Sequence, residues 1–185
     1  MRRTGGKLEI RATRSSDIET VLEVHRRAFG SEDEPELTRI LLEDAGAAPL
    51  ISLVAEEDGR VVGHILLSST SLEGTAGEAS MMVAPLGVIP DRQKNGIGTA
   101  LTRAAIEQAR QFGIDLLFLA GHPGYYPRFG FRTRAQDLGF APPAPMPPDH
   151  AEAWMVLELT PGAIQRASGR VVPAEELSNP KYWME

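Results

Sequence analysis

Apolar and polar positions alternate over Leu8–Ala12, as in a half-buried strand, and then change period. Ile18, Val21, Leu22, His25 and Phe29 recur at helical spacing, which predicts a helix over residues 16–29. Ser16 would be its N-cap, with Glu19 completing a capping box, and Gly30 its stop. Leu37, Ile40 and Leu41 place a second helix over 34–44, with Pro35 tolerated in the first turn. Residues 51–57 and 60–69 are rich in Val, Ile and Leu. Asp58-Gly59 between them is a strong two-residue turn signal, so a hairpin is expected. Residues 79–89 are almost wholly apolar, as in a strand buried on both faces. Ile97, Leu101, Ala104, Ala105 and Phe112 form the stripe of a helix over 96–112, ended by Gly113. Another buried strand follows at 115–120, a short helix or turn at 123–129, and the start of a strand at 131–133. The prolines of 141–148 force an irregular loop, because they donate no ladder hydrogen bond, and 153–159 alternates and closes the sheet. Beyond Thr160, Pro161, Gly162, Gly169, Pro173 and Pro180 punctuate a stretch with little periodicity. The pattern describes a single α/β domain with a mixed sheet and a C-terminal appendage.

Composition narrows the chemistry. The chain has 185 residues, one domain's worth, and no cysteine, which excludes a disulfide scaffold, thiolate metal sites and a cysteine nucleophile. With 19 Lys+Arg against 25 Asp+Glu the net charge is -6, which argues against general affinity for nucleic acid or anionic membranes but leaves room for a local basic pocket. The apolar runs are too short to cross a bilayer, and Arg2 and Arg3 lead into Thr4-Gly5-Gly6-Lys7, not an apolar signal core. Residues 1–7 read as a flexible lead-in, and the lack of cysteine fits a cytoplasmic protein. No His or carboxylate pair has metal-ligand spacing, so no metal is expected.

The most informative stretch runs from Leu86 to Leu101. A buried strand ends at Pro90, a polar loop Asp91-Arg92-Gln93-Lys94-Asn95 turns, and Gly96 and Gly98 open an amphipathic helix. Glycines there allow close approach to the backbone, the first helical turn leaves amides unpaired, and the macrodipole makes that end positive. Arg92 and Lys94 add mobile charge. Together these features suit a phosphate or pyrophosphate. Two glycines alone are more often a plain turn before a core helix. A Walker A loop fails, since Thr99-Ala100 follows Gly98, and a dinucleotide fingerprint is weak, since Leu101 stands where its third Gly or Ala belongs.

Gln93-Lys94-Asn95-Gly96-Ile97-Gly98, preceded by Val88-Ile89-Pro90, resembles the acetyl-CoA signature of the GNAT superfamily of N-acetyltransferases: Gln or Arg, two residues, Gly, one residue, Gly or Ala. Tyr126-Pro127-Arg128-Phe129-Gly130-Phe131 resembles that family's Tyr-x-x-x-Gly-Phe element, and the order of elements matches over residues 8–160. The resemblance implies a GNAT-type mixed, mostly antiparallel sheet flanked by helices, with residues 161–185 an extension packing on the core or a partner. It implies acetyl-CoA as co-substrate and transfer to a primary amine by direct attack in a ternary complex. Backbone groups of Leu86, Gly87 and Val88 would meet the pantetheine arm, and amides of Gln93, Lys94, Asn95, Gly96, Ile97, Gly98 and Thr99 the pyrophosphate. The Val88 N–H would polarise the thioester carbonyl and Tyr126 would protonate the departing sulfur. His122 falls where the family often has a polar contact to CoA, and Tyr125 would shape the channel.

Several readings stay open. No ionisable side chain lies within 79–89, so a general base is missing; Glu78, at the strand's start, a loop carboxylate, a water chain or an amine that arrives neutral would each serve. The same geometry without a base also suits an acyl-CoA sensor or interaction module. Glu32, Asp33, Glu34 and Glu36 read as a solvated helix start, against the alternative that they draw in a cationic amine. His25 and His64 read as core or boundary residues. The aromatic run Asn179-Pro180-Lys181-Tyr182-Trp183 docks on its own core or on a second copy, which leaves a homodimer open. The acceptor is a small-molecule or peptide amine.

Overall fold

The computed structural model describes residues 6–183, so most of the expected lead-in lies outside the described residues. Among the described residues nine strands form the sheet: β1 (Leu8–Ala12), β2 (Leu50–Glu57), β3 (Arg60–Leu72), β4 (Thr75–Val88), β5 (Leu116–Ala120), β6 (Arg132–Thr133), β7 (Phe140–Ala141), β8 (Trp154–Glu158) and β9 (Gly169–Val172). The main order is β1-β2-β3-β4-β5-β8-β6, antiparallel throughout except for the parallel pair β4 and β5. This is the mixed, mostly antiparallel sheet that was expected.

Side chains alternate across β3 and so sort the helices. A Cβ on Gly63 would point at Ile97 and Leu101 of α3 (Ile97–Gln111), whereas the neighbouring His64 meets His25 of α1 (Ile18–Phe29). α3 therefore covers one face. The other carries α1, α2 (Asp33–Glu43) and the C-terminal segment, whose Leu177 and Trp183 join a cluster with Leu37, Leu66, Phe118 and Trp154. The middle parts of β4 and β5 are buried on both sides, which is why residues 79–89 and 115–120 read as almost wholly apolar runs.

Three local expectations change. α1 is entered through a tight turn over Ser15–Asp17, and the capping box of Ser16 and Glu19 does not form. Asp17 governs the entry instead, accepting from the Arg14 N–H and the Arg11 guanidinium at 2.7 Å each, stronger charge-assisted bonds than a serine hydroxyl offers. β3 and β4 extend beyond the predicted ends, because residues 70–79 form an arm that leaves the core and needs no apolar signal. The stretch beyond Thr160 contains a single helical turn, α4 (Ala163–Arg166), and β9, which pairs with Ser71 and Leu72 at the tip of β3. Trp183 then packs edge-on against Trp154 at 5.5 Å and donates its indole N–H to the Leu177 carbonyl at 2.7 Å. Among the described residues, no helix is long and apolar enough to cross a membrane.

Gly169 makes the return of the extension possible: its φ is 126°, and a Cβ there would stand 2.1 Å from the Glu73 carbonyl oxygen. Gly169→Ala is expected to cost about 2 kcal/mol or more through combined backbone strain and overpacking, read as a lowered denaturation midpoint. An unchanged midpoint would show that the β3 tip and β9 do not contribute to stability.

Candidate active site

The site begins where two neighbouring strands stop pairing. β4 and β5 are joined from Ser80 and Leu116 to Met82 and Phe118, and beyond that they part. β5 stays with β8 through Ala120, while β4 stays with β3. At the parting, β4 carries one residue more than β3 between the pairs Leu67/Val83 and Ile65/Leu86, a bulge that contains Pro85, as proline in a strand requires.

Hydrogen-bond alternation then fixes what faces the opening. The Ile89 N–H donates to the Val62 carbonyl, so Ile89 and Gly87 turn their backbone groups to β3. Leu86 and Val88, out of phase with them, turn theirs toward the gap left by β5. A strand edge is thus exposed in the middle of a sheet, ready to pair with an extended ligand.

Past Val88 the chain turns through Pro90–Arg92 into α3. Lys94 (φ 62°) and Gly96 (φ 80°) both take left-handed backbone to make the turn. The first rung of α3 is the Ala100 N–H to the Gly96 carbonyl at 3.0 Å, so the amides of Ile97, Gly98 and Thr99 ahead of it are helix-end donors, backed by the positive end of the dipole. A groove of about 480 Å³ lies over them, lined also by Val88, Gln93 and Lys94. At Gly98 a Cβ would stand 3.0 Å from the Tyr125 hydroxyl, so any side chain there would crowd the tyrosine's tip.

Two expected groove contacts have other work. The Gln93 N–H donates to the Pro90 carbonyl at 3.3 Å, and its side-chain amide donates to the Val88 carbonyl at 2.9 Å. Gln93 ties the end of β4 to the loop. Arg92 is not mobile charge, because its guanidinium pairs with Glu57. Arg128 supplies a cation to the groove that sequence reasoning passed over; it stacks on the Tyr125 ring, 4.6 Å from its centroid, and donates to the Tyr125 carbonyl. Its only advance signal was its place inside the Tyr126–Phe131 element.

Leu86 and Tyr125 line both this groove and a second cavity of about 470 Å³ on the α1/α2 side of the sheet. Tyr126 lines the second cavity, its ring seated on Gly121, where a Cβ would come 2.4 Å from the ring. Burial pushes the Tyr126 hydroxyl well above the usual tyrosine range, so it holds its proton at neutral pH. His122 lines this cavity and not the groove, and its Nδ1 accepts the Gly124 N–H at 3.0 Å. Glu78 is roughly 33 Å along β4 from Val88 at ~3.3 Å per residue, and it pairs with Arg166. Of the acidic run, Glu32 pairs with Arg26 and Asp33 lies 3.7 Å from Lys181, as a solvated helix start should, but Glu34 turns into the cavity. Among the described residues, no group of three or more His, Asp or Glu is placed to hold a metal ion.

A split sheet edge leading from a helix-end amide cradle to a second, largely apolar cavity suits an extended, anionic ligand. Residues 9–134 match the model of the acetyltransferase (GNAT) domain, and the chain belongs to that family. It is 42% identical over 149 residues to the uncharacterized N-acetyltransferase YjhQ of Escherichia coli K12, spanning 80% of this chain and 82% of that one. Its fold superposes on the E. coli GNAT family N-acetyltransferase YhbS in complex with CoA with a TM-score of 0.84, at 25% identity, over 97% of this chain and 96% of that one. A GNAT acetyltransferase from Brucella melitensis in complex with acetyl-CoA gives a TM-score of 0.74 at 30% identity, over 92% and 98% of the two chains. The protein is an acyl-CoA-dependent N-acetyltransferase.

Beneath the exposed edge lies a buried polar chain. His25 Nε2 and His64 Nδ1 are 2.8 Å apart, His64 Nε2 and Ser52 Oγ 2.9 Å, and Ser52 Oγ donates to Thr13 Oγ1 at 2.7 Å. With the serine proton so used, His64 donates to Ser52 and His25 to His64, which leaves His25 Nδ1 a bare, buried acceptor facing Gly87. The two histidines are core residues, as expected. Burial lowers the His25 pKa to about 4, and burial together with His25 lowers that of His64 further below the ordinary value. The unfolded chain therefore binds protons that the folded one refuses. Stability is full above about pH 6.5 and is lost as pH falls toward 4, on the order of 3 kcal/mol for His25 alone. His25→Gln keeps a donor at His64 but does not titrate, so its denaturation midpoint should fall less than the wild type's between pH 7 and pH 4.5. Equal losses would mean the pair does not govern acid sensitivity.

Proposed function

We propose that the protein transfers the acetyl group of acetyl-CoA to a primary amine by direct attack within a ternary complex. The observation that carries this reading is the continuity of the cradle, the freed edge of β4 and the second cavity, with Leu86 and Tyr125 standing between the two spaces. The amides of Lys94, Asn95, Gly96, Ile97, Gly98 and Thr99 hold the pyrophosphate, and Lys94 and Arg128 add charge of the right sign. Leu86 and Val88 pair with the pantetheine arm as a neighbouring strand would, which leads the thioester to the junction of groove and cavity. Acetyl-CoA supplies an activated acyl carbon there.

The amine enters from the α1/α2 side. Its nitrogen attacks the carbonyl carbon, and the charge that develops on oxygen is met by the Val88 N–H, an oriented donor on a strand held from behind by β3. As the C–S bond breaks, the Tyr126 hydroxyl gives its proton to the sulfur and takes in return the proton that the nitrogen loses on becoming an amide; the amine attacks as the neutral base, its ammonium proton having passed to water. Tyr126 is protonated at neutral pH, as an acid must be, although the burial that raises its pKa also makes the proton harder to give.

Thiol release from acetyl-CoA in the presence of an amine panel tests the reading; CoA binding without turnover on any acceptor would leave a binding module on the same scaffold. Tyr126→Phe should lower kcat about 10²-fold with the KM for acetyl-CoA unchanged, and an unaltered rate would remove Tyr126 from the mechanism. Gly98→Asp should abolish CoA binding through bulk and like charge, and unchanged affinity would contradict the cradle. Glu78→Gln should leave the rate as it is.

A further inference from the structure

The second cavity has an unusual lining for a space that must receive an amine. Phe29, Leu37, Met82, Leu177 and Trp183 make much of its wall, and Phe29 is 45% exposed, so apolar surface reaches the outside. Among the described residues, no lysine or arginine lines it, and Glu34 is its one carboxylate.

Glu34 differs from its acidic neighbours in what its oxygens meet. Glu32 takes the Arg26 guanidinium and Asp33 lies near the Lys181 ammonium. The Glu34 Oε2 is buried and has no hydrogen-bond partner. Removing a carboxylate oxygen from water without giving it a donor is costly, and proteins seldom tolerate it where nothing is gained. Glu34 lines the cavity, so a turn of its carboxylate would bring this oxygen to a cationic donor entering there, and binding would remove a cost already present in the empty protein. A neutral donor would recover part of that cost, a cationic one more, and an anionic group none.

We propose that Glu34 determines acceptor specificity by receiving an ammonium group, which gives up one proton to water before its nitrogen attacks, and that the acceptor is a compact primary amine on an apolar skeleton, an arylalkyl or branched alkyl amine. The inference rests on the acetyl-transfer reading and names its acceptor class. A volume of about 470 Å³ holds a small molecule of that kind. The acceptor carries no carboxylate, because nothing cationic lines the cavity to receive one, and this sets the class apart from free amino acids. It is not a heavily hydroxylated sugar amine, because apolar walls would leave the hydroxyls unpaired.

The matched pair 2-phenylethylamine and phenylalanine tests this, since the two share a skeleton and differ by the carboxylate. CoA binding to the wild type is measured first, by calorimetry; its failure overturns the acetyl-transfer reading and this inference together. Given acetyl-CoA, the wild type should acetylate phenylethylamine with a KM about tenfold or more below that of phenylalanine. Glu34→Gln should raise the phenylethylamine KM about tenfold or more, the scale of a charge-assisted hydrogen bond, with the acetyl-CoA KM unchanged. Glu34→Asp should recover part of the loss. If phenylethylamine is not turned over, calorimetry on the CoA-saturated protein decides: binding that Glu34→Gln weakens supports the proposal, and no binding overturns it. Equal use of phenylalanine, or an amine KM indifferent to Glu34→Gln, overturns this inference and leaves acetyl transfer standing.

Discussion

Everything in the site follows from the failure of two adjacent strands to stay together. Beyond Met82 and Phe118 each of β4 and β5 keeps its other partner, so neither can relax to close the gap. Backbone groups of Leu86 and Val88 are then held in strand geometry with no strand to meet. In most sheets such an edge invites aggregation. Here it lies inside the sheet, flanked by Tyr125 and Tyr126 on one side and α1 on the other, and only a narrow extended ligand can reach it. Gln93 ties the Val88 carbonyl to the loop that follows, so the edge and the amide cradle move as one piece.

Electrostatics refine that frame locally, against the sign of the whole. The chain carries -6, yet the groove over α3 presents Lys94 and Arg128 with the amide end of a helix. The remaining charges of the loop are spent on holding it: Asp91 on Arg27, Arg92 on Glu57. On the proposed reading an anion would be drawn by these few oriented groups and not by net charge, so an overall acidic chain is no obstacle to binding a polyphosphate.

Much of this was legible along the chain, and the parts that were not share a cause. The hairpin at Asp58-Gly59 announces itself because both residues need left-handed backbone, and they have it, at φ 51° and 80°. α3 announces itself through a long stripe between glycines. α4 and β9 have four residues each, too few for any period to register. Ser16 lost the entry of α1 to Asp17 because Arg11, on another element, could reach it. Glu34 stands in a row of carboxylates with nothing in one dimension to mark it. Only the packing of α2 against the extension turns it inward. His25 and His64, 39 positions apart, become a hydrogen-bonded pair only once α1 lies across β3.

The same distinction explains why the cofactor side is easier to recognise than the acceptor side. Every group of the cradle and the freed edge falls within residues 9–134, the span common to the family. The acceptor cavity is closed partly by Leu177, Tyr182 and Trp183, which lie beyond it. Those residues are held by Trp154 and by β9 pairing with the tip of β3, contacts that leave the strand split untouched. On the acetyl-transfer reading, the extension and α2 would then shape the space for the amine while Gly96, Gly98 and the edge of β4 keep the donor in place, so the two demands fall on different parts of the chain.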